Sequence, residues 1–153
     1  NVPKGDYHEG IRCENLEKQT FSDQSFDIVI TQDVFEHVLN PDKAFAEIGR
    51  TLKPNGVHIF TVPWNSNQPT FGRARNSSSG IQYFAEKKYH GNPIDPNGSL
   101  VITDWGDNLI NYINSASGMK TKIFPLVNPR YGFIRKTEVF ISYKPIIHKF
   151  NKE

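Results

Sequence analysis

The first strong pattern along the chain is Phe26-Asp27-Ile28-Val29-Ile30-Thr31, a short β-branched apolar run after the turn-prone residues 22–25. Bounded in this way, it reads as a buried strand. A helix is expected soon after it. Asn40 offers an N-cap, Pro41 a proline at the first helical position and Asp42 an acid in the first turn, each favourable at a helix start. Phe45, Ile48 and Leu52 then recur at three- and four-residue steps, with Lys43, Glu47 and Arg50 off that stripe, the signature of an amphipathic helix. Lys53-Pro54-Asn55-Gly56 predicts its end, and residues 57–62 a second short strand. Strand, helix and strand in so short a span form the βαβ unit of a parallel α/β sheet.

From 64 to 100 the pattern dissolves into Asn, Ser, Gly and Pro, broken by the aromatic segment Ile81-Gln82-Tyr83-Phe84. A structureless connection of this length is unusual in a compact domain. It is expected to act as a functional lid, with partial disorder as the alternative. Residues 107–117 then place Leu109, Ile110 and Ile113 on one helical face, with Gly118 as the C-terminal cap. Residues 121–126 and 137–143 are two more apolar runs, separated by turn residues at 129–132, and predict an antiparallel pair.

Composition bounds this picture. At 153 residues the chain is expected to be a single domain, 1–153, able to bury a sizeable core. It holds no apolar run long enough for a transmembrane helix and no h-region of a signal peptide near its start, so no membrane role and a cytoplasmic location are expected. Cys13 is the single cysteine and is expected to be a reduced, incidental thiol. The sequence begins at Asn1 rather than at a methionine, which leaves processing or a longer parent as the two expectations.

Residues 1–62 carry 6 basic and 10 acidic side chains, and residues 63–153 carry 12 and 6. The basic residues of the second half are dispersed and form no recognised module, which argues against a nucleic-acid partner. His8, His58, His90 and His148 show no mutual metal-ligand spacing, and no metal is predicted.

The segment ENLEKQTFSDQSFDIVITQDVFEHVLNPDKAFAEIGRTLKPNGVHIFTVP, residues 14–63, resembles the middle of the class I S-adenosylmethionine-dependent methyltransferases, in particular the type 11 group. There an F-x-D-x-S-F-D turn leads into a strand, a polar residue and EHV follow, and a helix ends in LKPGG before a strand ending near proline. Here Asn55 stands where the family usually has glycine, and Gln19-Thr20 where it often has Leu-Pro. The family's glycine-rich turn, which meets the donor through backbone N–H groups, has no counterpart, since no G-x-G occurs in the chain.

The resemblance implies an α/β, Rossmann-like sheet of order 3-2-1-4-5-7-6, mostly parallel with an antiparallel C-terminal strand pair. This chain would hold an N-terminally truncated, partial form of it, lacking the first two strands, with residues 10–14 as the third-strand candidate. The strand at 27–31 would then expose unpaired backbone groups, and a homodimer or other homo-oligomer through that sheet edge is expected.

The resemblance also implies methyl transfer from S-adenosylmethionine to a small-molecule or biosynthetic acceptor, weak or absent in a truncated chain. The alternative is a non-catalytic remnant that serves as a self-association or interaction module. Carried onto these residues, it places the donor's adenine against Asn15 and Leu16, and the donor itself against Thr31, Gln32 and Asp33, at the carboxyl edge where open parallel sheets hold ligands. Asn15 and Leu16 read equally well as a turn asparagine and a core leucine. His37 is the candidate general base, although Glu36 and His37 lie in a motif shared among different acceptors, which suits donor-side packing. Trp64, Tyr83, Tyr89 and His90 are the candidate acceptor-binding residues, with Phe84 and Trp105 beside them. Such loop aromatics also serve simply to pin a loop to the core.

Overall fold

The computed structural model describes residues 2–93 and 95–146; His148 lies outside them. The chain opens with the two-residue strands β1 (Tyr7–His8) and β2 (Ile11–Arg12), followed by β3 (Phe26–Gln32) and a 3-10 turn at Phe35–His37. Helix α1 (Pro41–Thr51) leads into β4 (Leu52–Thr61). Short strands follow: β5 (Phe71–Gly72), β6 (Ala74–Ser77), β7 (Gly80–Tyr83), β8 (Tyr89–His90), β9 (Ser99–Leu100) and β10 (Thr103–Asp104). Helix α2 (Leu109–Ser117), β11 (Lys120–Asn128) and β12 (Phe133–Tyr143) complete the described chain.

The main sheet has four strands in the order β11-β12-β4-β3. β3 runs parallel to β4, while β12 is antiparallel to both β4 and β11. The third-strand candidate at 10–14 is not part of this sheet: β2 pairs with β1, in a separate hairpin. β3 is therefore an edge strand among the described residues.

The β3–β4 register is irregular at one point. Phe26 pairs with Leu52, but Ile28 already pairs with Val57, so Lys53 to Gly56 loop out. Asn55 holds φ 63° there, a left-handed conformation that asparagine tolerates better than most side chains. Asparagine thus holds here the conformation that glycine would adopt without strain. Gly56 has no such latitude, because a Cβ would lie 2.8 Å from the Lys53 carbonyl oxygen.

Lateral register puts Val29 beside His58 and Thr31 beside Phe60, and Phe60 beside Phe140. This face is buried against Phe45 and Ile48 of α1 and Leu109 and Ile113 of α2. Phe35 stacks on Phe45 at 3.9 Å between ring centroids. The opposite face carries the row Ile30, Ile59 and Ile141. Ile30 is 72% exposed and its strand neighbour Ile28 55%. One apolar face of the sheet is thus covered and the other open at the β3 side.

One expectation is corrected. Asn40 does not cap α1 with its side chain; its Nδ2 donates to Glu17 Oε2 at 2.6 Å instead. Within residues 64–100, expected to form a lid or to be partly disordered, β6 pairs with β7 and β8 with β9. Gly118 ends α2 at φ 70°, as its sequence position predicted.

Candidate functional site

An open cleft of about 1140 Å³ lies at the carboxyl ends of β3 and β4. Gln32, Asp33, Thr61 and Trp64 line it on the sheet side, and Glu36, His37 and His90 across from them. An adjoining apolar cavity of about 360 Å³ wraps the free edge of β3. Leu16, Phe21, Phe26, Val29 and Ile48 form its walls, and Ile30, Thr31 and Val34 border both spaces. Parallel strands place ligands at this end because the following turns diverge there and leave backbone groups unpaired.

Of the residues expected to meet the donor, Leu16 lines the apolar cavity, Thr31 borders both spaces, and Gln32 and Asp33 line the cleft. Asn15 lines neither. Its Oδ1 accepts from the Glu17 backbone N–H at 2.8 Å, the local turn that favours asparagine. Thr31 is also partly committed, as its Oγ1 is hydrogen-bonded to His58 Nε2 at 2.9 Å. Asp33 sits at φ 49°; its N–H donates to the Thr61 carbonyl at 3.1 Å and its Oδ1 accepts from Thr61 Oγ1 at 3.0 Å. The turn after β3 is thereby clamped to the end of β4.

The loop carrying Leu16 is held by ionic side chains. Arg50 donates to the Phe21 carbonyl and to Asp23, each at 2.8 Å. Glu47 accepts from the Gln19 N–H at 2.7 Å, and Glu17 accepts from the Asn40 N–H at 2.9 Å. The hydrogen bonds that Arg50 donates to Glu47 and Asp23 raise its pKa still further, so it stays a cation.

On the other side, the 3-10 turn presents Glu36 and His37. His37 Nδ1 donates to the Leu100 carbonyl at 2.8 Å, and the Ile102 N–H donates to the Glu36 carbonyl at 2.7 Å. β9 in turn pairs with β8, which brings His90 to the same place. Glu36 is 1% exposed, and neither carboxylate oxygen has a hydrogen-bond partner among the described residues. Burial holds its carboxyl above the usual carboxylate range.

Among the aromatic candidates, Trp64 and His90 line the cleft, and Tyr83 and Tyr89 do not. Trp64 Nε1 donates to the Gly106 carbonyl at 2.7 Å and its ring packs edge-on against Phe140. Trp105 is buried in the core. Tyr83 carries Lys87 over its ring at 4.7 Å and Phe84 carries Arg75 at 5.1 Å, pairs that brace the loop on itself.

Residues 3–60 match the family model described as a methyltransferase domain. A curated protein of Mycobacterium avium (strain 104), described as an uncharacterized methyltransferase, is 26% identical over 137 residues, covering 85% of this chain and 50% of that protein. Among solved structures, a SAM-dependent methyltransferase of Methanosarcina mazei is similar at 16% identity and TM-score 0.50, over 88% of this chain and 66% of the other. The 1,6-didemethyltoxoflavin-N1-methyltransferase of Burkholderia thailandensis, solved with 1,6-didemethyltoxoflavin and S-adenosylhomocysteine, is similar at 15% identity and TM-score 0.52, over 86% and 48%. Residues 3–60 thus carry a methyltransferase-domain sequence, and the fold is similar to that of solved S-adenosylmethionine-dependent methyltransferases. The chain spans about half the length of the curated relative it matches.

Proposed function

We propose that the cleft at the ends of β3 and β4 is the donor side of a methyltransferase site, and that the parent activity is methyl transfer from S-adenosylmethionine to a small-molecule acceptor. One arrangement carries the reading: an apolar cavity holding Leu16 opens directly onto a polar cleft holding Gln32 and Asp33. A donor with a flat aromatic end and a cationic sulfonium matches that division. The donor supplies a methyl group by in-line displacement at carbon.

Leu16, Phe21 and Val29 would pack the adenine, while the Asp33 carboxylate favours the cation and Gln32 reaches the polar groups. With Asn15 turned into its local turn, the adenine contact falls to Leu16. On the acceptor side, His37 Nε2 is the basic atom left facing the cleft once Nδ1 is bonded to Leu100, and Trp64 and His90 would border the acceptor. The segment 64–100 would act as the lid. Saturating S-adenosylhomocysteine tests the donor reading: at a hundred times its Kd it should add about 2.7 kcal/mol and raise the melting temperature. An unchanged melting temperature would contradict it.

A second reading rests on the exposure of Ile28 and Ile30 along the unpaired edge of β3. Here the chain is a cytoplasmic self-association module in which a second copy covers this edge. Edge strands with apolar faces are templates for such pairing. The two readings compete for the same cavity, so donor binding and dimerisation would oppose one another.

A further inference from the structure

We infer that Glu36, His37 and His90 form a site for one divalent transition-metal ion of the zinc type. His37 Nε2 and His90 Nδ1 each lie 3.6 Å from Glu36 Oε1, and the three candidate ligand atoms all fall within 4.8 Å of one another. A charged histidine–carboxylate hydrogen bond would close to about 2.8 Å. Two atoms bound to one zinc ion at its usual bond lengths stand about 3.3 Å apart. The two histidine–carboxylate spacings therefore suit a shared ion better than an ion pair, each within a few tenths of an ångström of that value, and the two imidazole nitrogens, within 4.8 Å of one another, would draw together on the ion.

Three further features agree. Glu36 is an almost fully buried carboxylate without a hydrogen-bond partner among the described residues, and a buried charge left in that state is costly unless a cation or a proton meets it. His37 Nδ1 donates to a backbone carbonyl, the outer bond that fixes the tautomer and leaves Nε2 with the lone pair a metal needs. Two imidazoles and one carboxylate select zinc, cobalt or ferrous iron over magnesium or calcium.

All three residues border the cleft, so the remaining coordination positions face it, as in catalytic rather than structural zinc sites. An oxygen or nitrogen group of a small acceptor could take one of them. The ion would also fasten β8 to the turn at Phe35–His37. His37 would then be a ligand and not a free base. The linear spacing of the histidines gave no sign of this, because β8 is brought to the turn by its pairing with β9.

The inference does not depend on donor binding. The test is calorimetric titration of the chain with Zn²⁺ and optical titration with Co²⁺. One ion per chain is expected, with micromolar or tighter affinity for Zn²⁺ and visible cobalt absorption of four- or five-coordinate type. Loss of an outer-shell partner costs 10–100-fold in metal affinity, so loss of a ligand should cost at least about tenfold. Glu36→Gln removes the buried ligand; His90→Ala removes a partly exposed one and keeps the test valid if the first variant folds poorly. No binding in the micromolar range would overturn the assignment. So would binding whose affinity and cobalt spectrum are the same in His90→Ala, which would place the ion elsewhere.

Discussion

Thr31 at the end of β3 is joined to His58 of β4 by a 2.9 Å hydrogen bond between Oγ1 and Nε2, beneath a His58 ring that stacks on Phe60 at 4.5 Å. His58 is fully buried, and burial pushes its pKa from the ordinary 6.5 down to about 3. The strand end that lines the cleft is thus fastened to the core by a neutral imidazole.

Unfolding returns His58 to water, where it binds a proton near 6.5, so the unfolded chain holds the extra proton between about pH 3 and 6.5. Stability should fall with acid across that window, at up to about 1.4 kcal/mol per pH unit from this residue, and be level in it above 6.5. Glu36, raised by burial, acts oppositely, weakening the fold as pH rises above the ordinary carboxylate range. Urea unfolding from pH 4 to 7 should show a shallower acid slope in His58→Phe; an unchanged slope would mean His58 is not held neutral.

Leu16 should matter to the donor more than Asn15. Its side chain lines the apolar cavity, so Leu16→Asp should weaken S-adenosylhomocysteine binding at least about tenfold through the cost of an unpaired charge beside the ring. Asn15→Ala should leave that affinity nearly unchanged while costing about 1 kcal/mol of stability, because its Oδ1 serves the local turn. Equal losses in both variants would restore Asn15 to the donor contact.

Arg50 should act on the same loop from a distance. Its bonds to the Phe21 carbonyl and Asp23 are partly solvent-exposed, so Arg50→Ala is expected to cost only about 1–2 kcal/mol. The informative readout is amide exchange in residues 15–23, which should quicken more than in α1. Equal acceleration in both would mean the arginine stabilises the fold without specifically holding the loop.

The open β3 edge predicts association. Light scattering should return a mass above the 17.5 kDa of one chain, and Ile28→Lys with Ile30→Lys should return it to one chain without loss of secondary structure. A wild-type mass of 17.5 kDa at high micromolar concentration would remove the self-association reading.

Much of the scaffold was legible in the sequence because its elements are long enough to show a period. The β-branched run of β3, the Phe45-Ile48-Leu52 stripe, the Pro41 start and the Gly118 stop each carry a local physical signal. The strands of the 64–100 segment did not, since two to four residues cannot establish alternation and their partners are set by tertiary contacts. Nor could a sequence reading see that Asn40 answers Glu17 rather than its own helix. The candidate site divides in the same way. Leu16, Gln32 and Asp33 are candidates through the resemblance and Glu36 and His37 through their chemistry, and all five line the cleft or its adjoining cavity. His90 joins them only because two short strands fold back across the turn.

The paired cavity and cleft are proposed to form a donor site. Calorimetric titration of the chain with S-adenosylhomocysteine tests it most directly. A saturable isotherm with micromolar Kd, about −8 kcal/mol, that is weakened by Leu16→Asp is the predicted result. Absence of heat at millimolar ligand, together with an unshifted melting temperature, would contradict it and leave the self-associating edge as the better account of these residues.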